Sequence, residues 1–313
     1  MSEFRRQQGL ALPLVLWIIT LLSIMAGGFA LLMKNEIGAT RALQDQVRSE
    51  ALIDGALNQA LLYLSGLPAA SDPLLAEEFV DLDLFGVPLI LRVTPSTALV
   101  DLNKARPALL RRLFEAVGVD DEEIDRLIDR IADWRDRDDA RRANGAEKDD
   151  YEAADKYPPP KNAKFDSVVE LHQVLGIDDA LYQRLAPYVT IGGGSGIDPS
   201  YAPRALLRLL SGEDEPLQAA RGAEAFTQWT PRLGGGLVSR GRTRSYRIEV
   251  LMPDRRGRVR AYVVARVMTG ARSDFDKFAN ARPRILGKRE GIAPTDIVEY
   301  ARHAAEREET DGS

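Results

Sequence analysis

The chain has 313 residues, with 45% hydrophobic and 28% charged residues, a formal net charge of −5, two histidines and no cysteine. The missing cysteine excludes thiol nucleophiles, zinc-thiolate sites and stabilising disulfides. The two histidines, His172 and His303, are far apart in sequence, and no G-x-S-x-G, Walker or zincin spacing appears. The length suffices for two modest cores.

The first element is MSEFRRQQG followed by LALPLVLWIITLLSIMAGGFALLM, a short basic leader and then an uncharged apolar run over residues 10–33. That run is long enough to cross a bilayer, which takes roughly 20 apolar residues at about 1.5 Å rise each, and longer than the roughly 7–15-residue apolar core of a cleaved signal peptide. Arg5 and Arg6 precede it, whereas Lys34 is soon balanced by Glu36, so the amino terminus is expected in the cytoplasm and the rest across the membrane. On hydropathy alone this is a single-span anchor. Gly9 at the junction resembles a type IV prepilin-like site, and this resemblance implies cleavage between Gly9 and Leu10 by a prepilin peptidase. Relatives usually carry glutamate at the fifth mature position; here it is Leu14, a departure that resembles the minor pseudopilin GspK branch of type II secretion.

Beyond the span, Ile37, Leu43, Val47, Leu52, Ala56, Leu61 and Leu62 recur at near-helical spacing, with no proline until Pro68, and predict one helix continuing to about Leu64. Residues 79–93 (FVDLDLFGVPLILRV) read as one or two strands around a Gly86 turn, and residues 245–252 and 259–268 as a hairpin. Between them lie short helix, glycine turn, short helix units. Asp101 to Asn103 opens residues 104–119; Asp120 and Asp121 cap a helix presenting Ile124, Leu127, Ile128 and Ile131 on one face. Ser167 caps residues 167–177, Asp178 leads into 180–189, and residues 196–212 repeat the first unit. The run Gly192 to Gly196 lacks the lysine of a phosphate loop and is expected to be a flexible link. The tail after Gly270 is polar, with one short helix expected over residues 297–308.

The segments VDLNKA (100–105), DWRDRD (133–138), GAE (145–147) with Tyr151, IDPSYAP (197–203), 167–175 and 185–189 are similar to the inserted domain of the GspK family. With the amino terminus, the resemblance covers roughly residues 1–270. It implies an α+β fold: a pilin-like amino-terminal transmembrane long helix packed on a small antiparallel sheet, with a large inserted α-helical domain of helix-hairpin-helix-like (SAM-like) units. The expected segments are a leader over 1–9, a span over 10–33, a periplasmic helix and first strands over 34–99, the insert over 100–212, remaining strands over 213–270 and a polar extension over 271–313. It further implies methylation of Leu10's new amine, an inner-membrane anchor, and assembly with GspI-like and GspJ-like minor pseudopilins and the major pseudopilin. On this reading Leu14 suits a tip subunit, which has no subunit above it whose amine a glutamate would neutralise.

Residues 120–155 carry 15 Asp and Glu against 7 Lys and Arg. Such a surface repels a polyanion, which argues against the rival reading of the helix-hairpin-helix units as a DNA receptor. Arg240, Arg242, Arg244 and Arg247 form a basic strand surface better suited to solvent or acidic partner subunits. From the residues alone, Asp133, Asp136, Asp138, Glu147 and Asp150 are equally a solvated, salt-bridged loop or a hard-oxygen site for Ca²⁺. The GspK resemblance favours a structural Ca²⁺. A hydrolase would have to rest on these carboxylates alone, and no catalytic residue is assigned.

Overall fold

The computed structural model describes residues 11–66, 73–212, 221–241, 243–269, 284–290 and 292–311. The chain divides into two compact units at Leu52/Ile53, within helix α1 (Ala11–Gly66). In the first unit, Leu12–Phe29 has a mean hydropathy of 2.1 and no residue buried. Its two hydroxyls are satisfied inside the helix: Thr20 Oγ1 and Ser23 Oγ each donate to a carbonyl four residues back at 2.8 Å. Neither hydroxyl is then left bare where hydrocarbon would surround it.

In the second unit α1 buries Ile53, Ala56, Leu57, Ala60, Leu61 and Leu64, a stripe with helical spacing. Leu62, expected on that stripe, points outward with 73% exposure. A short helix α2 (Pro73–Ala76) precedes the hairpin of β1 (Val80–Leu84) and β2 (Val87–Pro95), the two-strand form of the one or two strands expected around Gly86. A two-residue parallel pair follows, β3 (Val100–Asp101) with β4 (Val189–Thr190). Between and after these come α3 (Pro107–Ala116), α4 (Asp121–Arg135), α5 (Lys148–Ala153), α6 (Asp179–Leu185), α7 (Arg204–Ser211) and α8 (Ala223–Leu233). The predicted hairpin is β5 (Ser245–Pro253) with β6 (Val259–Met268); β7 (Arg284–Glu290) and α9 (Thr295–Asp311) complete the chain.

The main sheet has the order β1-β2-β5-β6-β7, antiparallel throughout. Its register assigns the two faces. Leu84, Leu91, Val250, Val263 and Lys288 share the face covered by α1: a Cβ at Gly55 would touch Leu84 at 3.3 Å, and Lys288 Nζ donates to Asp54 at 2.5 Å. Ile90, Leu251 and Tyr262 lie on the other face and pack with Ile297 and Ala301 of α9. Covering both faces is why β2 and β5 are buried almost throughout, their charged residues included.

The helical part forms one core from Ala98 to Val238, holding Leu109, Leu113, Ile124, Leu127, Ile131, Trp134, Leu206, Leu210 and Trp229. Three expectations change. Residues 168–173 wind as a 3₁₀ helix behind a Ser167 cap. The insert extends past residue 212, because α8 contributes Ala225, Trp229 and Leu233 to the same core. The glycine run 192–196 is a packed crossing, not a loose link. A Cβ at Gly193 would lie 2.4 Å from the Ser96 carbonyl oxygen, and one at Gly196 2.7 Å from that of Leu237.

The segment expected as a polar extension is also partly structural. Among its described residues, β7 pairs with β6, and α9 buries Ile297 and Ala301.

Candidate functional site

Two features carry chemistry beyond packing. One is the uncovered apolar surface of α1. Leu14, the position singled out in the sequence, is 60% exposed, and the neighbouring large apolar side chains Val15, Leu16 and Trp17 are exposed too. Water is a poor solvent for such a stripe: fully burying one such side chain is worth about 1.5–3 kcal/mol. The described chain covers none of Leu12–Phe29. Gly9 and Leu10, the expected processing pair, lie outside the described residues.

The other is the acidic loop after α4. Three acidic residues in the first turn of α4 and Arg135 in its last suit the helix dipole. Helical spacing turns Asp133 inward with Ile131 and Trp134, where it is fully buried. The next ten residues then fold back over it. Arg142 Nη1 donates to Asp133 Oδ1 at 2.5 Å, the Arg142 amide donates to Asp133 Oδ2 at 3.3 Å, and Arg142 also pairs with Asp136. Gly145 has to be glycine, since a Cβ there would lie 1.8 Å from Asp133 Oδ2. Trp134 stacks on Phe165 beneath the loop, with ring centroids 5.8 Å apart. The VDLN segment ties in from the other side: Asn103 Nδ2 donates to the Phe165 carbonyl and Asn103 Oδ1 accepts from its amide, at 2.9 and 2.8 Å.

The five predicted carboxylates have different fates. Asp133 and Asp136 meet across Arg142, and Glu147 is buried close enough to feel both. Asp138 Oδ1 accepts from the Ala140 amide at 3.1 Å. Asp150 is engaged elsewhere, accepting from the Glu147 amide at 3.0 Å and from Arg141 Nη1 at 2.9 Å. Among the described residues no three of His, Cys, Asp and Glu stand in a metal-holding arrangement. Yet Glu147 Oε1 and Asp136 Oδ1 are buried without a hydrogen-bond partner. Burial, then repulsion from Asp133, Asp136, Asp139 and Asp138, pushes the Glu147 carboxyl up to about 7. Arg142 and Arg135 beside it thus leave two buried carboxylate oxygens of this hard-oxygen cluster without a partner.

A second charged cluster went unread in the sequence. Arg92 of β2 is buried and donates through Nε and Nη2 to Glu249 Oε2 and Oε1 at 2.6 and 2.8 Å, and through Nη1 to Asp296 Oδ2 at 2.5 Å. Burial opposes the Glu249 charge, but Arg92 and the Tyr262 hydroxyl outweigh it and hold that carboxyl below its usual range. The cluster pins α9 to the sheet. A lone arginine in an apolar strand was its available signal.

Residues 96–193 match the family model described as Type II secretion system (T2SS), protein K. The chain is 39% identical over 83 residues to the type II secretion system protein K of Dickeya chrysanthemi, covering 26% of this chain and 22% of that protein. It is 28% identical over 203 residues to the protein K of Klebsiella pneumoniae, covering 59% and 62%. Each of these matches therefore spans less than two thirds of the relative. In fold, the chain resembles a chain of the GspK-GspI-GspJ complex from the enterotoxigenic Escherichia coli type 2 secretion system. The TM-score is 0.57 at 16% identity, over 81% of this chain and 99% of that one.

Proposed function

We propose that this chain is a minor pseudopilin of a type II secretion machine, an assembly subunit rather than an enzyme. It is held in the inner membrane by α1, with its amino terminus cytoplasmic and the rest periplasmic. It stands at the pseudopilus tip with GspI-like and GspJ-like subunits above the major pseudopilin, and supports export of folded proteins across the outer membrane. The observation that carries this is the coincidence, in one chain, of an uncovered apolar helix over Leu12–Phe29 with a protein K domain over residues 96–193. The solved neighbour is a chain of a GspK-GspI-GspJ complex, which supports the choice of partners. Units such as α3, the Gly118 turn and α4 read as helix-hairpin-helix-like. Their acidic surroundings and the protein K matches give the DNA-receptor alternative no support.

The test is the mass and amino-terminal sequence of the membrane-extracted protein, made with and without its prepilin peptidase. A peptidase-dependent start at Leu10, heavier by one methyl group, is expected. An intact leader in both strains would overturn the processing and leave a plain anchor.

The acidic loop is read as a structural Ca²⁺ site held by Asp133, Asp136 and Glu147, with Asp138 at its edge and Asp150 outside it. The ion would supply charge that Arg142 alone does not. The unpartnered buried oxygens of Glu147 and Asp136 support this. Calorimetric titration with Ca²⁺ tests it, and no heat of binding at millimolar Ca²⁺ would reject it.

A further inference from the structure

The sheet ends, away from the helical insert, in a surface that neither the anchor nor the acidic loop uses. β1 turns into β2 through Phe85 and Gly86, at φ 56° and 75°. This is the mirror-image turn that favours Asn-Gly, and a bulky aromatic at its first position adopts an unfavourable left-handed backbone. Asp83 Oδ1 accepts from the Gly86 amide at 2.9 Å and holds the turn. Phe85 is nevertheless 91% exposed, so no contact among the described residues explains why an aromatic stands there. Strain of this kind, paired with exposure, points to a task outside the fold.

The β5–β6 hairpin closes at the same end, because Ile90 pairs with Leu251 and Leu84 with Val87 while β5 runs out at Pro253. Its turn and the start of β6 expose Arg255, Arg256, Arg258 and Arg260. The one carboxylate of that turn, Asp254, is already taken: it accepts from the amides of Arg256 and Arg258 and pairs with Arg258 Nε at 2.8 Å. A Cβ at Gly257 would lie 2.6 Å from the Cα of Arg302, so exposed Arg302 of α9 stands beside the same turn. Two strand spacings separate the two turns, about 10 Å. The end of the sheet thus presents one rigid aromatic beside a group of arginines, the residue types that dominate protein-binding surfaces.

We infer that this end of the sheet docks a protein subunit offering an apolar pocket for Phe85 with carboxylates around it for Arg255, Arg256 and Arg260. The inference rests on the assembly role proposed above and adds a surface to it. A protein, and not an anionic membrane, fits because the turns are held at fixed spacing by the strand ladder. A lipid surface would also take an exposed phenylalanine beside arginines, but it needs neither their fixed spacing nor a left-handed backbone at Phe85.

The test uses the full chain in membranes of cells carrying the whole secretion locus, with Phe85→p-benzoylphenylalanine as a photo-crosslinker. Ultraviolet light is expected to give an adduct with a protein encoded by the locus. The double substitution Arg255→Glu and Arg256→Glu is expected to lower its yield about tenfold, through loss of charge complementarity. Phe85→Asn, which suits the turn, is expected to keep or raise the melting temperature while lowering secretion, so misfolding does not explain the loss. Adducts with lipid only, no adduct, or a protein adduct indifferent to charge reversal would each overturn the docking surface. Cleavage at Leu10, followed in the same cells, reports on the pseudopilin reading independently.

Discussion

Glu147→Gln tests the electrostatics of the acidic loop, because its effect should reverse sign with Ca²⁺. Without the ion, the Glu147 carboxyl is raised from 4.5 to about 7 by burial and by repulsion from Asp133, Asp136, Asp139 and Asp138. Between those values the folded protein keeps a proton that the unfolded chain has released. Stability is therefore undiminished below about pH 4.5 and falls as pH rises to about 7, by at most about 3.4 kcal/mol at 1.36 kcal/mol per unit. Water at the loop surface screens part of this, so about 1–2 kcal/mol is expected. At pH 8 without Ca²⁺, Glu147→Gln removes the repelled charge and should stabilise the helical part by that amount. With Ca²⁺ present the same change deletes a ligand and should destabilise it. Hydrogen exchange of the α5 amides on the full chain in detergent, at pH 5 and 8 with EGTA or Ca²⁺, reads this directly. A substitution that is destabilising in EGTA at pH 8 would refute the repulsion argument, and one indifferent to Ca²⁺ would remove Glu147 from the ligand set.

Arg92→Ala leaves Glu249 and Asp296 without their buried counter-charge and should cost about 3–5 kcal/mol, whereas Arg92→Met combined with Glu249→Leu should recover much of the loss in chemical denaturation. Gly193→Ala drives a methyl to 2.4 Å from the Ser96 backbone oxygen, which cannot rotate away, and should cost about 1–3 kcal/mol in the same assay. Leu14→Glu places an unpaired carboxylate on the exposed apolar stretch of α1, at about 2.5–3.5 kcal/mol if it reaches the bilayer centre. It should reduce secretion, since a tip subunit has no neighbouring amine to neutralise the charge, while carbonate-resistant membrane association should hold. Unchanged secretion would remove the electrostatic argument for Leu14.

Much of the architecture was legible because the periodicities are strong. Alternation in residues 79–93 and 245–268 pointed to three or four strands, of which four form, and Ile124, Leu127 and Ile131 specified the buried face of α4. What failed depends on contacts distant in sequence. The strand β7, RILGKRE, is mostly charged or polar and is ordered by the ladder to β6, not by its own pattern. The glycines at 192–196 looked like a linker because nothing local shows that Ser96 and Leu237 press against them. Of the five predicted carboxylates, Asp133, Asp136 and Glu147 lie near one another, as their closeness in sequence allowed. Sequence could not foresee that Asp150 faces the Glu147 amide and Arg141, or that Arg142 bridges the first two.

The register also accounts for how so large an insert is carried. Pro95 of β2 and Tyr246 of β5 are ladder partners, so residues 96–245 leave and re-enter the sheet at adjacent positions, where the Ser96 and Ser245 hydroxyls meet at 3.0 Å. An excursion that returns to its own register imposes no distortion on the strands, so the five-stranded sheet keeps its ladder beside a helical core larger than its own. The insert then occupies one end of β2 and β5, and Phe85 and Arg255 occupy the other. Such a layout separates two tasks. The helical bulk is confined to one end, and the opposite end carries the exposed Phe85 and arginines on which the docking proposal rests.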